Sequence, residues 1–284
     1  MIGCDNMKTK IFVCSNSGID YISHSKNISS LPVTIKFNAE EEYIDYLDAI
    51  SDAYYNRVKH SKMKPTIHPI KKDRVVEMLE NTINAQYKHA LFILSSEEFI
   101  QIEDIVLEAA EGLNISIDII KTNAISYPLA SMTIEADKML NKQNKRMKTV
   151  ENRIRELEDN YTIYIYSTDK AAKTINGNML FEEEIVAPAE NGDIFIFNGQ
   201  LSKVDKKLKL KFDDMISMFN KDIGNEDVMP FILYNTKDSL YNDLLEEELL
   251  NIFGNLRYIK KYPIPPGVGN KFGVNTCMIG FIKF

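Results

Sequence analysis

Apolar positions in the first half of the chain switch between two periods. Short runs of strand length, rich in β-branched residues, occur at "KIFVCS" (residues 10–15), "LPVTIKF" (31–37), "HALFILSS" (89–96) and "ISIDIIKT" (115–122). Between them lie longer amphipathic stretches. "AEEEYIDYLDAISDAYYNRV" (39–58) opens near three acids, which suits the positive end of a helix dipole. "DRVVEMLENTINAQY" puts Val76, Leu79, Ile83 and Tyr87 on one stripe, and "IEDIVLEAAEGL" does the same with Ile102, Ile105, Val106 and Ala109. Strand and helix in alternation predict a parallel sheet covered by helices. Ligands of such sheets sit at the carboxyl ends of the strands, which directs attention to "CSNSG" (14–18) and "SSEEF" (95–99).

A helical stretch follows from about Tyr127 to Asn160. Its middle, "NKQNKRMKT", is too polar to pack, and Thr149 before "VENRIRELE" is placed to restart the helix as an N-cap. The domain boundary is set there, giving an N-terminal α/β domain over 8–150 and a C-terminal mixed α/β domain over 151–284. The second half carries hairpin signals. In "DIFIFNGQLSKVD", Asn198-Gly199 between two alternating runs predicts a type I′ turn. "MPFILYNT" reads as a strand, "SLYNDLLEEELLNIF" as a helix capped by Gly254, and "TCMIGFIKF" as a final strand.

Composition narrows the class. A chain of 284 residues, 44% hydrophobic, fills two ordinary domains or one large one. No run approaches the ~20 apolar residues of a membrane span, and "MIGCDNMKTK" lacks the apolar core of a signal peptide, so a cytoplasmic location is expected. Cys4, Cys14 and Cys277 are odd in number and widely spaced, which argues against disulfides and a zinc site. The net charge of −7 argues against binding nucleic acid.

The chemical motifs are sparse. "GVGNKFG" (267–273) lacks the spacing of a P-loop and enters a strand, whereas phosphate loops feed a helix N-terminus. His24, His60, His68 and His89 are scattered, and "SNS" (15–17) has no G-x-S-x-G elbow around it. "LLEEELL" (244–250) and "FEEE" (181–184) suit solvated faces. No nucleophile, base and orienting group come together, so catalysis is not indicated.

The order of the motifs resembles the DegV family of bacterial fatty-acid-binding proteins, over about Lys10 to Phe284. "KIFVCSNSGID" is similar to that family's opening strand and turn, with Asn16 where an aspartate is usual. "PTIHPI" (65–70) stands at its T-S-Q-P-S loop and "LFILSSEEFIQIEDIVLEAAE" at the strand ending in S-S-G-L-S-G-T-Y. "AKTINGNMLF" (172–181) falls where the family has R-K-G-G-R-I, and "PPGVGNKFGVNTCMIGF" aligns on its G-T-H-T-G-P-G loop and last strand. The resemblance implies a two-domain α/β protein with a ligand tunnel between the domains. One long-chain fatty acid lies in it, its carboxylate held by hydroxyls and amides and presented to a separate fatty acid kinase subunit. No metal or nucleotide cofactor is implied, and a monomer is expected. Each buried CH₂ contributes about 0.8 kcal/mol, so the tail supplies affinity and the polar groups fix the head.

Carried over residue by residue, the ligand set is Thr66, His68, Ser95, Ser96, Asn178, Asn270 and Lys271. Thr66, Ser95 and Ser96 match the family. Ile67 replaces a hydroxyl, His68 a glutamine, Asn178 an arginine, Asn270 a threonine and Lys271 a histidine. "EEFI" (97–100) replaces G-L-S-G, so Glu97 and Glu98 either face the carboxylate and disfavour it, or point to solvent at a helix start. Two functions follow: a lipid carrier with a rebuilt head-group site, or a DegV-like scaffold that has lost fatty-acid binding, its tunnel closed by Phe99, Met179 and Phe272.

Overall fold

The computed structural model describes residues 8–48, 50–61, 65–168, 173–175, 178–180, 192–204, 210–224, 226–236, 240–254 and 259–283, without the side chains of 173–175, 178–180 and 240. The acidic run 181–184 and Cys4 lie outside them. In chain order the strands are β1 (Thr9–Cys14), β2 (Ile28–Leu31), β3 (Thr34–Lys36), β4 (Glu42–Ile44), β5 (Thr66–His68), β6 (His89–Leu94), β7 (Ser116–Lys121), β8 (Tyr161–Ser167), β9 (Lys173–Ile175), β10 (Asn178–Leu180), β11 (Asp193–Phe197), β12 (Leu201–Lys203), β13 (Val228–Tyr234), β14 (Lys260–Pro263) and β15 (Thr276–Lys283). The helices are α1 (Ser51–Ser61), α2 (Lys72–Asn84), α3 (Glu103–Ala110), α4 (Ser126–Asp137), α5 (Met147–Glu158), α6 (Phe212–Ile223), α7 (Leu240–Phe253) and the single turn α8 (Pro266–Gly269). None is long and apolar enough to cross a membrane.

The chain divides into two compact units, both assembled from separate stretches. The first runs to Thr34 and resumes from His68 to Glu158; the second takes Ile35–Ile67 and Asp159–Phe284. Segment 35–67 is fastened within the second unit by α1. Ser51 Oγ and Tyr55 Oη both donate to the Ile264 carbonyl, at 2.7 and 3.1 Å.

The first unit is built on a four-stranded parallel sheet of order β2-β1-β6-β7. Its β1 and β6 are paired from Thr9–His89 to Val13–Ile93. Both are almost wholly buried, as expected of a parallel sheet covered on two faces. On α2 the buried positions are Val75, Leu79 and Thr82, with Val76, Ile83 and Tyr87 half-buried beside them; on α3 they are Val106 and Ala109, next to Ile102.

Three local expectations change. The stretch 31–37 breaks in two because Pro32 has no N–H for the ladder and Val33 N–H turns to Ser15 Oγ at 3.1 Å. Residues 39–50 do not join the helix. Asn38 Oδ1 accepts from Glu40 and Glu41 N–H, and the Asp48 carboxylate accepts from Ile44 N–H; such local side-chain bonds compete with helix, and α1 starts only at Ser51. After α4, a π-helical stretch (Lys138–Lys142) ends near Asn144, whose φ is +54°, so α5 restarts at Met147 and Thr149 lies inside its first turn.

The second unit holds a six-stranded mixed sheet of order β12-β11-β8-β15-β13-β14, antiparallel except for β13 with β14. Helices α6 and α7 pack on it, burying Tyr164, Tyr166, Met215, Phe219, Leu245, Leu249, Ile279 and Phe281 in one cluster. Gly280 in β15 has no room for a side chain: a Cβ there would lie 2.7 Å from the Thr162 carbonyl and overlap the Phe231 ring. The β11–β12 hairpin closes at Phe197–Leu201 around three residues, with Gly199 at φ +98°, a longer loop than the two-residue turn expected. Gly254 ends α7 as expected, at φ +64° with its N–H on the Leu250 carbonyl. The unit also carries a small sheet of order β4-β3-β5 and the ribbon β9–β10.

Candidate functional site

The order of the parallel sheet identifies its ligand end. From β1 the chain moves to β2 on one side and later to β6 on the other, so the switch point lies between β1 and β6. A crevice opens beyond the carboxyl ends of two such strands. Beyond β1 stands the 3₁₀ turn Ser15–Ser17, beyond β6 the pair Ser95–Ser96, and beyond β7 the loop leading into α4. These segments are tied to one another. Ser96 N–H donates to the Ala124 carbonyl at 3.1 Å, and Thr122 bonds the Leu94 carbonyl through both N–H and Oγ1. Helix α4 packs against the Ser15–Ser17 turn.

Two hydroxyls of this region are engaged in folding. Ser15 Oγ accepts from Val33 N–H and Ser17 Oγ from Ile19 N–H, each at 3.1 Å. Three other side chains are not. Asn16 is fully buried with both Oδ1 and Nδ2 lacking a hydrogen bond, and Ser126 is fully buried with an unbonded Oγ. Ser95, 2% exposed, leans on the Cys14 thiol but makes no bond to nitrogen or oxygen through its hydroxyl. Burial pushes the Cys14 thiol above its ordinary range, so it is not a ready nucleophile. An unmade hydrogen bond on a buried polar group costs about 1–3 kcal/mol, and native proteins hold few such groups. Ser126 adds backbone strain. It is the first residue of α4 and sits at φ +49°, a left-handed conformation that costs a non-glycine residue roughly 1–2 kcal/mol. The cap residue Ile125 offers no side-chain bond to the helix.

One ion triad stands at the ends of β6 and β7. Lys121, paired with Leu94 across the sheet, contacts Glu97 at 2.6 Å and Glu103 at 2.7 Å. Glu103 first, then Glu97, hold the Lys121 ammonium above its usual value. Glu97 is half-exposed and faces this lysine; Glu98 is exposed.

The remaining residues singled out in the sequence stand on other elements. His68 ends β5 on the first unit and is exposed. Thr66 is exposed on β5 within the second unit. The backbone of Asn178 is in β10, and its side chain lies outside the described residues. Asn270 is engaged inside the second unit: Oδ1 accepts from Tyr54 Oη at 3.0 Å and Nδ2 donates to the Pro65 carbonyl at 3.1 Å. Lys271 is exposed. The glycines of "GVGNKFG" have packing reasons. A Cβ on Gly269 would overlap the Tyr55 hydroxyl, and Gly273 turns the chain toward β15 at φ +96°. Phe272 is buried and Phe99 half-buried. Asn16 and Ser126 were not among the expected ligands. Asn16 could have been found from its place after β1, but nothing in the local sequence marks Ser126. No group of three His, Cys, Asp or Glu side chains among the described residues is arranged to hold a metal ion.

Comparison with known proteins settles the family. The family model described as "Uncharacterised protein, DegV family" matches residues 8–170, more than half of the chain. The chain belongs to the DegV family. Solved structures agree in fold over nearly all of its length. A fatty acid binding DegV family protein from Streptococcus agalactiae superposes at a TM-score of 0.73 with 15% identity, covering 98% of this chain and 99% of that one. DegV from Bacillus subtilis, described as a fatty acid binding protein, gives 0.74 at 13%, covering 98% and 100%. A DegV family protein from Eubacterium eligens loaded with heptadecanoic acid gives 0.71 at 10%, covering 97% and 100%. No curated protein matches the sequence. The DegV membership and these superpositions bear out the two-domain α/β fold expected from the resemblance.

Proposed function

We propose that this DegV-family protein is a non-catalytic carrier that binds one long-chain fatty acid, with the head group at the carboxyl ends of β1, β6 and β7. The observation that supports it is the trio of buried, unbonded side chains, Asn16, Ser95 and Ser126, at the ligand end of the parallel sheet. Solved relatives described as holding fatty acids support the chemical class. Of the sequence-derived ligands, Ser95 and Ser96 directly follow β6, and Glu97 after them is paired with Lys121. Thr66, His68, Asn178, Asn270 and Lys271 enter the same assay one at a time.

The test is native mass spectrometry of protein purified from cells, then stripped of lipid and offered oleate. A mass increment of one acyl chain per protein is expected; an unliganded mass with no uptake favours the scaffold reading and ends this one. The resemblance extends the proposal to a cytoplasmic monomer that presents the bound acid to a separate fatty acid kinase. Acyl phosphate formed only when loaded protein, ATP and such a kinase are combined is the expected result, and no phosphoryl transfer from the complete mixture removes that extension.

A further inference from the structure

The unbonded atoms at the sheet end differ in what they require of a ligand. Asn16 leaves a donor, Nδ2, and an acceptor, Oδ1, on one rigid amide plane, both buried. The Ser95 and Ser126 hydroxyls can each donate and accept. An ionised carboxylate only accepts. It would satisfy Nδ2 and the hydroxyl protons, but would leave Oδ1 unbonded against a negative oxygen. Lys121, at the end of β7, is shared between two carboxylates, so that triad carries a net charge of about −1 and supplies no surplus positive charge. A primary amide, or a carboxylic acid that keeps its proton, presents a carbonyl and an N–H or O–H side by side. Either pairs with Asn16 through two bonds and leaves a carbonyl lone pair for a serine hydroxyl, and the amide also keeps a second N–H for the other serine.

We propose that Asn16, Ser95 and Ser126 form a head-group pocket selecting an acyl ligand whose head both donates and accepts hydrogen bonds, a primary acyl amide or an un-ionised carboxylic acid, over the ionised carboxylate. The inference rests on the acyl-carrier reading above. Competitive displacement of a fluorescent acyl probe by oleamide, oleate and methyl oleate tests it, at about pH 9, where a free carboxylic acid is ionised. The three ligands share one chain and differ only at the head. Oleamide is expected to bind about tenfold or more tighter than methyl oleate, which cannot donate and leaves Oδ1 unbonded. Oleate falls below oleamide because it must take up a proton to bind. In Asn16→Leu, with folding verified by circular dichroism, the amide-to-ester ratio collapses toward one. Should that variant not fold, the panel on the unaltered protein still decides. Oleate binding tighter than oleamide, or amide and ester binding equally, overturns the inference while the carrier reading stands. Failure of all three to displace the probe, in a protein that also takes up no acyl chain by mass, overturns both.

Discussion

The two ends of the first unit's sheet are made from the same residue types and treat them in opposite ways. At the amino end, Asp137 is buried and fully answered: Ser25 Oγ, Asn27 Nδ2 and Asn141 Nδ2 donate to its carboxylate at 2.7, 2.9 and 2.7 Å. Asn141 also exchanges two bonds with the Thr9 backbone, and Tyr87 Oη donates to Asn27 Oδ1. At the carboxyl end, Asn16, Ser95 and Ser126 are buried as deeply and have no such partners. Burial therefore cannot separate structural polar residues from ligand-facing ones. Only following each donor and acceptor to its partner does so.

Asp137→Ala is the strongest way to test that contrast. It leaves three half-buried donors without their buried acceptor, and a loss of about 3 kcal/mol is expected, read as a lower midpoint in urea unfolding. The amide-to-ester ratio of the folded fraction should not move; if it does, the two ends are coupled and the contrast fails. Asn270→Ala comes next. It removes the partner of a Tyr54 hydroxyl that is itself buried, and burial and the Asp45 carboxylate already hold that phenol in its neutral form. A loss of about 1–3 kcal/mol is expected, again with the ligand ratio unchanged. A ratio that shifts instead would mean that Asn270 acts on the head group.

How far the sequence could foresee this follows from what each feature depends on. Periodicity located β1, β6, β7, α2, α3, β13, α7 and β15 because burial on one face leaves a repeat in the residues themselves. The stretch 39–50 misled because acids and apolar residues at helical spacing say nothing about Asn38 and Asp48 capturing nearby backbone N–H groups. The passage of 35–67 into the second unit depends on Ser51 and Tyr55 meeting the Ile264 carbonyl some two hundred positions away, and no local composition marks that. Within the site, Ser95 was visible because it ends a strand whose family pattern is distinctive. Ser126 was invisible because its significance is a backbone angle and a missing bond, which only coordinates show.

Ser126→Gly sharpens the comparison in the other direction. Glycine accepts φ +49° without steric cost and removes an unbonded hydroxyl, so about 1 kcal/mol of added stability is expected, offset in part by the glycine's greater freedom when unfolded. The same change removes a head-group donor, and acyl-amide affinity should fall several-fold. A variant that is both less stable and unimpaired in binding would show that Ser126 supports the fold after all.

Lys271→Ala has the smallest expected effect. Lys271 replaces the histidine expected at the head group and is exposed, on the stretch between α8 and β15. An exposed ammonium in water contributes about 0–1 kcal/mol to any ion pair, and its charge is screened within about 10 Å at ordinary salt. If the head group is read by neutral donors and acceptors, oleate and methyl oleate should lose affinity equally in the variant, and by less than about twofold. A selective loss for oleate that shrinks as salt is raised would instead mean that a cation reads the ligand, and the neutral pocket of Asn16, Ser95 and Ser126 would no longer suffice to explain the head-group preference.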